Sequence, residues 1–461
     1  MPEAPPHALP SPVRRFLGKG RPVYRASAPG RLDVMGGIGD YSGSLVLQMP
    51  IRETATVYLS PRADPHLRLF SVQAKQMGEA ETIEASLGEI YATAQKRGYE
   101  ACVAHLHALD FPKWSFYVIG CWVVLAVERG WRLGGADVWI DSRVPIGKGV
   151  ASSSALEVSV LNAMARAYAL SLGGTELPVL AQKVENRVAG APCGLMDQLA
   201  SHLGEPHKLL PILCQPDQVY PPIPIPPPLQ FIGIDSGVRH EVRGASYSDV
   251  RTAAFMGYTI IARQEGVSLR ALRKARSTSD GSNLPYGGYL ANISPSLFES
   301  TYRPHLPSVI TCEDFQREHG LTIDHVTSPE TGKMYAVQDA AAHPVYEHHR
   351  VRLFSHLMEA LTQVAGRNAR EERWTALGEM MFQAHVSYSR CGLGHERTDE
   401  IVQRVREAGA KAGVYGARVA GGGSGGTVCV LAAGRKGRAT CETIAQEYAK
   451  SYGLAPCLFT R

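Results

Sequence analysis

Three stretches of this chain place residues capable of phosphate and hydroxyl chemistry at informative spacings. Pro145-Ile-Gly-Lys-Gly-Val-Ala-Ser-Ser-Ser-Ala155 is a glycine- and serine-rich loop. Between a strand and a helix, such a loop turns free backbone N–H groups and the positive helix end onto a phosphate, and its hydroxyls can ligate magnesium. A plain capped helix start is the alternative, but three serines after two spaced glycines speak against it. No G-x-x-x-x-G-K-[ST] run occurs, so the loop is not a Walker A motif. Gly190-Ala-Pro-Cys-Gly-Leu-Met-Asp-Gln198 sets Asp197 just after a turn-forming run, with Glu185 twelve residues earlier. One carboxylate can accept a hydroxyl proton as phosphoryl transfer begins, and a second can hold magnesium. Alone, Asp197 reads as a helix cap or a solvated acid. Gly421-Gly-Gly-Ser-Gly-Gly426 lies between strand-like segments, as a tight hairpin or a ligand-contacting loop. A dinucleotide fold would need a helix after it. His343, His348 and His349 sit near Glu347 without metal-protease spacing, and read as a solvated helix rather than a metal site.

The elements that must hold these groups surround them. Residues 136–140 read as a strand and 155–170 as a helix with Leu156, Val160, Met164 and Tyr168 on one face, so the serine-rich loop opens a helix. Residues 23–28, 45–49 and 54–59 also read as strands. The apolar run 116–127 is stopped by Glu128 and Arg129, short of the roughly 20 residues that span a bilayer, and predicts a buried element. Seven prolines within 216–228 favour an extended connector before a strand at 229–235, and the domain junction is placed there. The division predicted for 461 residues is a loose arm over 1–22, an N-terminal domain over 23–228 and a C-terminal domain over 229–461. Residues 270–335 read as an insertion over a site. The net charge of +5, from 48 basic and 43 acidic residues without a basic block, excludes a nucleic-acid arm and leaves room for an anionic cosubstrate. The start of the chain has no secretory-leader pattern, so a cytoplasmic protein without membrane partners is expected. Nine scattered cysteines read as reduced packing thiols.

Together and in this order, the motifs resemble those of galactokinase-type kinases in the GHMP superfamily, named for galactokinase, homoserine kinase, mevalonate kinase and phosphomevalonate kinase. Pro29-Gly-Arg-Leu-Asp-Val-Met-Gly-Gly-Ile-Gly-Asp-Tyr41 resembles their N-terminal sugar motif, residues 146–155 their serine-rich ATP loop, 190–198 their G-x-P-C-G-I-M-D-Q stretch and 416–426 their C-terminal glycine motif. The resemblance implies an α+β fold: a ribosomal protein S5 domain 2-like N-terminal domain and a ferredoxin-like C-terminal domain, with ATP and sugar in the cleft between and the glycine loop closing on the serine-rich loop. It implies Arg31 beside the transferring phosphoryl group and Asp197 as the base or hydroxyl-orienting acid. Ser153 and Glu185 match the magnesium positions, and Gly147, Gly149, Ser152, Ser153 and Ser154 lie along the ATP phosphates. Asp40, Tyr247, Gly194, Gly37 and Ile38 match the sugar side. Trp114 and Tyr117 occupy a pattern near the adenine, with apolar core an equal reading. The implied cosubstrate and cofactor are ATP and Mg2+.

One departure bears on the sugar. At Gly37 and Ile38 galactokinases carry Glu and His that handle the C6 hydroxymethyl, and a site that has lost those partners suits a sugar lacking that group. L-arabinopyranose is such a sugar. Residues 33–44, 343–347 and 421–429 also resemble the kinase domain of plant L-arabinokinases, so L-arabinose is the expected acceptor and a small, apolar space beyond ring C5 the expected cause. Galactokinase is the alternative. A uronic acid kinase ranks below it, since no Lys or Arg stands at 36–39, and a non-catalytic sugar sensor is the alternative of another class. Ser424 stands where many galactokinases have an aromatic.

Overall fold

The computed structural model describes residues 9–191, 193–239, 245–361 and 366–461. The chain forms two compact units that interleave in sequence: Met1–Arg31, Pro50–Ile146 and Ala151–Leu203 in the first, Leu32–Met49, Gly147–Val150 and Gly204–Arg461 in the second. This differs from a consecutive split at 228 because two long strands and the serine-rich loop run from one unit into the other.

The first unit contains α1 (Ser11–Leu17), most of β1 (Tyr24–Met35) and β2 (Leu45–Pro61), β3 (His66–Ser71), β4 (Thr82–Ser86), α2 (Leu87–Ala108), α3 (Lys113–Arg129), β5 (Ala136–Ser142), α4 (Ser152–Ala167), α5 (Glu176–Lys183) and α6 (Met196–Leu203). Its sheet runs β4–β3–β5–β2, with β3 parallel to β5 and the other pairs antiparallel. The strands expected at 45–49 and 54–59 are one strand. Helix α3 is apolar around nearly its whole circumference, and its residues from Trp114 to Ala126 are buried apart from half-buried Tyr117, as an enclosed helix requires. Trp114 is core, its indole donating to the Ala80 carbonyl at 3.1 Å. On α4, Leu156, Val160 and Met164 are buried with Tyr168 packed beside them, the expected stripe.

The expected loose arm is corrected. Leu9, Val13 and Leu17 are buried at four-residue spacing, and Phe16 meets the Trp139 ring edge-on at 5.6 Å. Helix α1 therefore docks on β5, a stripe the flanking prolines concealed. Residues 1–8 of that arm lie outside the described residues.

The second unit adds β6 (Lys208–Leu213), β7 (Gln218–Val219), β8 (Ile223–Pro224), β9 (Leu229–Asp235), α7 (Ala245–Gln264), α8 (Leu269–Thr278), α9 (Pro295–Leu297), β10 (Ile310–Thr311), α10 (Cys312–His319), β11 (Met334–Tyr335), α11 (Val337–Ala360), α12 (Arg367–Arg390), α13 (Glu396–Ala408), β12 (Val414–Val419), β13 (Thr427–Ala433), α14 (Gly434–Ser451) and β14 (Leu458–Phe459). The first residues of β2 pair with β6. A four-stranded antiparallel sheet runs β12–β13–β9–β14, with α12 and α13 against β12 and α14 against β13 and β9. The segment expected to be an insertion is part of the unit's core: Phe298, Tyr302, Phe315 and Tyr335 cluster with Ile38, Tyr41 and Tyr247.

Candidate active site

In the first unit, three elements converge on two acids. Helix α4 opens at Ser152, after Ala151 in a left-handed conformation at φ +58°. The chain after α5 widens into a π-turn, Val184–Ala189, that carries Glu185, and α6 carries Asp197 in its first turn. Arg31 at the end of the unit's β1 segment grips Asp197 with both ends of its fork, Nε to Oδ1 at 2.8 Å and Nη2 to Oδ2 at 2.9 Å. Such a bidentate pair fixes orientation as well as charge. Ser153 donates to Glu185 Oε1 at 2.8 Å, while Gln198 donates to Oε2 at 2.7 Å. Burial pushes the Glu185 carboxyl up to about 7, and the nearby Asp197 charge adds to the shift. Gly194 lies in the loop just before α6, and Pro192 of the same motif lies outside the described residues.

Sequence reasoning missed Glu157. It is fully buried on α4, and burial together with the Glu185 charge pushes its carboxyl well above the ordinary range. Its available signal was position: one turn after Ser153, on the same helical face.

In the second unit, residues 147–150 lie against the glycine hairpin between β12 and β13. The Thr427 hydroxyl donates to the Lys148 carbonyl at 2.7 Å, and a Cβ built on Gly149 would stand 3.8 Å from Gly426 Cα. Gly147 and Gly149 sit at φ +73° and +70°. Left-handed residues at alternate positions curl a backbone so that successive N–H groups face one concavity, the form of an anion-binding nest. The Lys148 ammonium pairs with Asp235 at the end of β9. Ser424, at φ +55°, is held by its N–H to the Leu393 carbonyl at 2.8 Å.

The turn Gly37–Ser42 carries the predicted sugar residues and is buried throughout. Asp40 accepts the Tyr41 N–H at 2.7 Å, and the Tyr41 ring meets Tyr247 edge-on at 6.1 Å. Arg251 lies over the Tyr41 ring but is neutralised by Asp324 through two hydrogen bonds of 2.8 Å.

Two expectations fail here. The helix of His343, Glu347, His348 and His349 is not solvated, although His349 itself is exposed. Glu347 is fully buried, paired with Arg350 and accepting the Gly36 N–H at 3.2 Å; His348 Nδ1 accepts the Leu45 N–H at 2.9 Å. His343 is held neutral by burial, its imidazole lowered to about 4. Nor is the space at Gly37 small and apolar. Ile38 packs in an apolar cluster as expected, but a Cβ on Gly37 would stand 1.5 Å from the Tyr388 hydroxyl and 2.8 Å from Arg418 Nη2. Arg418 pairs with Asp33 at 2.9 Å, and Asp33 also accepts the Gly421 N–H at 3.0 Å. This buried set of Asp33, Glu347, Tyr388 and Arg418 was not found from the sequence.

Among the described residues, no group of three or more His, Cys, Asp or Glu side chains could hold a metal, and no helix is long and apolar enough to cross a membrane. A hydroxyl and a carboxylate, as at Ser153 and Glu185, do suit Mg2+, which takes only one or two protein oxygens when substrate phosphates supply the rest.

Comparison with known proteins speaks to the family and the fold. The chain matches the GHMP kinases N terminal domain over residues 117–205 and the GHMP kinases C terminal domain over residues 357–452. It is 38% identical to L-arabinokinase of Arabidopsis thaliana, over 95% of this chain and 45% of that protein. It is 35% identical to galactokinase of Chloroflexus aggregans, over 57% of this chain and 61% of that protein. The chain thus spans about half of the first relative and three fifths of the second. The crystal structure of Lactococcus lactis galactokinase complexed with galactose shares the fold at a TM-score of 0.73 and 21% identity, over 98% of this chain and 97% of that one. The chain thus matches the N terminal and C terminal domains of the GHMP kinases in order and shares its fold with a galactokinase.

Proposed function

We propose that the chain is an ATP-dependent sugar 1-kinase whose acceptor is L-arabinose. The observation that carries the reading is the bidentate Arg31–Asp197 pair beside the Ser153–Glu185 pair. In this reading Asp197 takes the proton of the anomeric hydroxyl as its oxygen bonds to the γ-phosphorus and the bond to ADP breaks, giving L-arabinose 1-phosphate. Arg31 orients Asp197 and balances charge on the transferring group. Gly147, Gly149, Ser152 and Ser154 offer N–H and hydroxyl donors to the phosphates, and Ser153 with Glu185 would hold Mg2+, which supplies charge neutralisation when bound. Asp40, Tyr247, Gly194, Gly37 and Ile38 face the sugar. Similarity to a named L-arabinokinase supports the choice of acceptor. Galactose is the second reading, favoured by the galactokinase relatives. A uronic acid ranks below both, since no Lys or Arg stands at positions 36–39.

A coupled assay of ADP release with L-arabinose, D-galactose, D-galacturonate and D-glucuronate tests the reading. L-arabinose should give the highest kcat/KM. Preference for galactose transfers the assignment to the second reading, and sugar binding without turnover makes the protein a sensor.

A further inference from the structure

We infer that Tyr388 is a positioning residue that occupies the place of the missing position-37 side chain and thereby sets which sugar the Gly37–Ser42 turn accepts. The inference rests on the sugar-kinase reading and concerns a residue outside the motifs that suggested it.

Tyr388 is fully buried on α12. Its hydroxyl accepts the Ile38 N–H at 2.9 Å and donates to the Gly421 carbonyl at 2.8 Å, so one oxygen ties the sugar turn to the glycine hairpin. The ring is fixed edge-on to His343 at 5.1 Å, with the Arg418 guanidinium 5.1 Å from its centroid. Position 37 cannot carry any side chain while this phenol is present: its Cβ would stand 1.5 Å from the hydroxyl oxygen, and its backbone sits at φ +38°. Glycine at 37 and tyrosine at 388 are therefore one steric unit.

The same site holds a cation ready for a different pairing. Arg418 Nε and Nη2 are buried without a hydrogen-bond partner among the described residues, and Nη2 is 2.8 Å from the position-37 Cβ. With the phenol removed, a side chain at 37 would still press on Arg418 Nη2, so the guanidinium must swing aside to pair with a carboxylate placed there. Gly37→Glu with Ile38→His in the presence of Tyr388 instead drives a side chain into a fully buried ring, and should yield a protein that fails to fold or to bind sugar.

Tyr388→Phe keeps the ring and removes both hydrogen bonds. It should raise KM for L-arabinose about five- to tenfold, the loss expected for one or two neutral hydrogen bonds, with kcat and KM for ATP little changed. The triple variant Gly37→Glu, Ile38→His, Tyr388→Ala should recover folding and favour galactose over L-arabinose in kcat/KM. The variants are assayed with both sugars, with calorimetric sugar binding as an independent readout. The inference is overturned if Tyr388→Phe leaves both sugars' KM and Kd at wild-type values, or if the double variant at 37 and 38 is active with Tyr388 intact. A wild-type protein that binds neither sugar overturns the functional reading instead.

Discussion

Glu185 makes the pH dependence of stability a direct test of the acid cluster. In the metal-free protein its carboxyl is raised from 4.5 to about 7, chiefly by burial. Between those values the folded chain holds a proton that the unfolded chain has released. Stability therefore falls as pH rises through this window and levels off above the folded value. A shift of about 2.5 units corresponds to about 3 kcal/mol in full, with about 1.4 kcal/mol lost per pH unit where the slope is steepest. Glu185→Gln resembles the protonated acid in shape and can still accept from Ser153; with the Gln198 amide turned to face the new N–H, it removes this component together with the part of the Glu157 shift that the Glu185 charge causes. Urea unfolding in EDTA from pH 5 to 8.5 should show the two proteins nearly equal at pH 5 and the variant more stable by up to about 3 kcal/mol at pH 8.5. A difference that does not change with pH, or a variant less stable at pH 8.5, would refute the reasoning.

Asp197→Asn should keep ATP and sugar binding but lower kcat by at least about 10²-fold, and Arg31→Lys, which cannot reproduce the two-pronged grip on Asp197, should lose kcat comparably; single-turnover kinetics measure both. His343, lowered to about 4, gives a slope opposite to that of Glu185. Below 6.5 the unfolded chain takes up a proton the folded one refuses, so stability should fall as pH drops from 6.5 toward 4, and His343→Phe should flatten that slope in acid titrations followed by fluorescence. Gly416→Ala should destabilise by about 1 to 3 kcal/mol in denaturant melts, because its Cβ would stand 2.3 Å from Gly378 Cα and neither backbone can yield cheaply.

The first unit's acid cluster was legible because its residues lie in contiguous motifs whose chemistry is local. A serine run before a helical stripe carries its own argument, whereas Asp197 gains its reading from the motifs around it. Both the strand at 229–235 and the helix under the serine-rich loop followed from periodicity and proline placement. What could not be read depends on meetings across the chain. Asp33 and Arg418 are separated by 385 positions, and nothing in either neighbourhood announces the other. Glu347 sits in a run of His, Glu and Arg that has the composition of a wet helix, and such residues are buried only where partners exist. Those partners, Arg350 and the Gly36 N–H, come partly from a turn more than three hundred residues earlier.

Gly37 shows how this limit reaches function. From the sequence, an absent side chain implies an empty space, and an empty space beyond ring C5 implies a smaller sugar. In the fold the place of a position-37 side chain is filled from α12 by the Tyr388 hydroxyl, which accepts a hydrogen bond from Ile38, 350 positions away in the chain. The proposed preference for a sugar without the hydroxymethyl group then has a different cause. An empty pocket would admit the larger sugar at the cost of an unsatisfied hydroxyl, about 1 to 3 kcal/mol. A filled and braced one discriminates through the conformation of the turn that bears Ile38 and Asp40, so exchanging residues 37 and 38 alone cannot convert the specificity. On the inference that Tyr388 sets sugar choice, positions 37 and 388 act as one pair, and only substitutions that treat them together separate shape from hydrogen bonding.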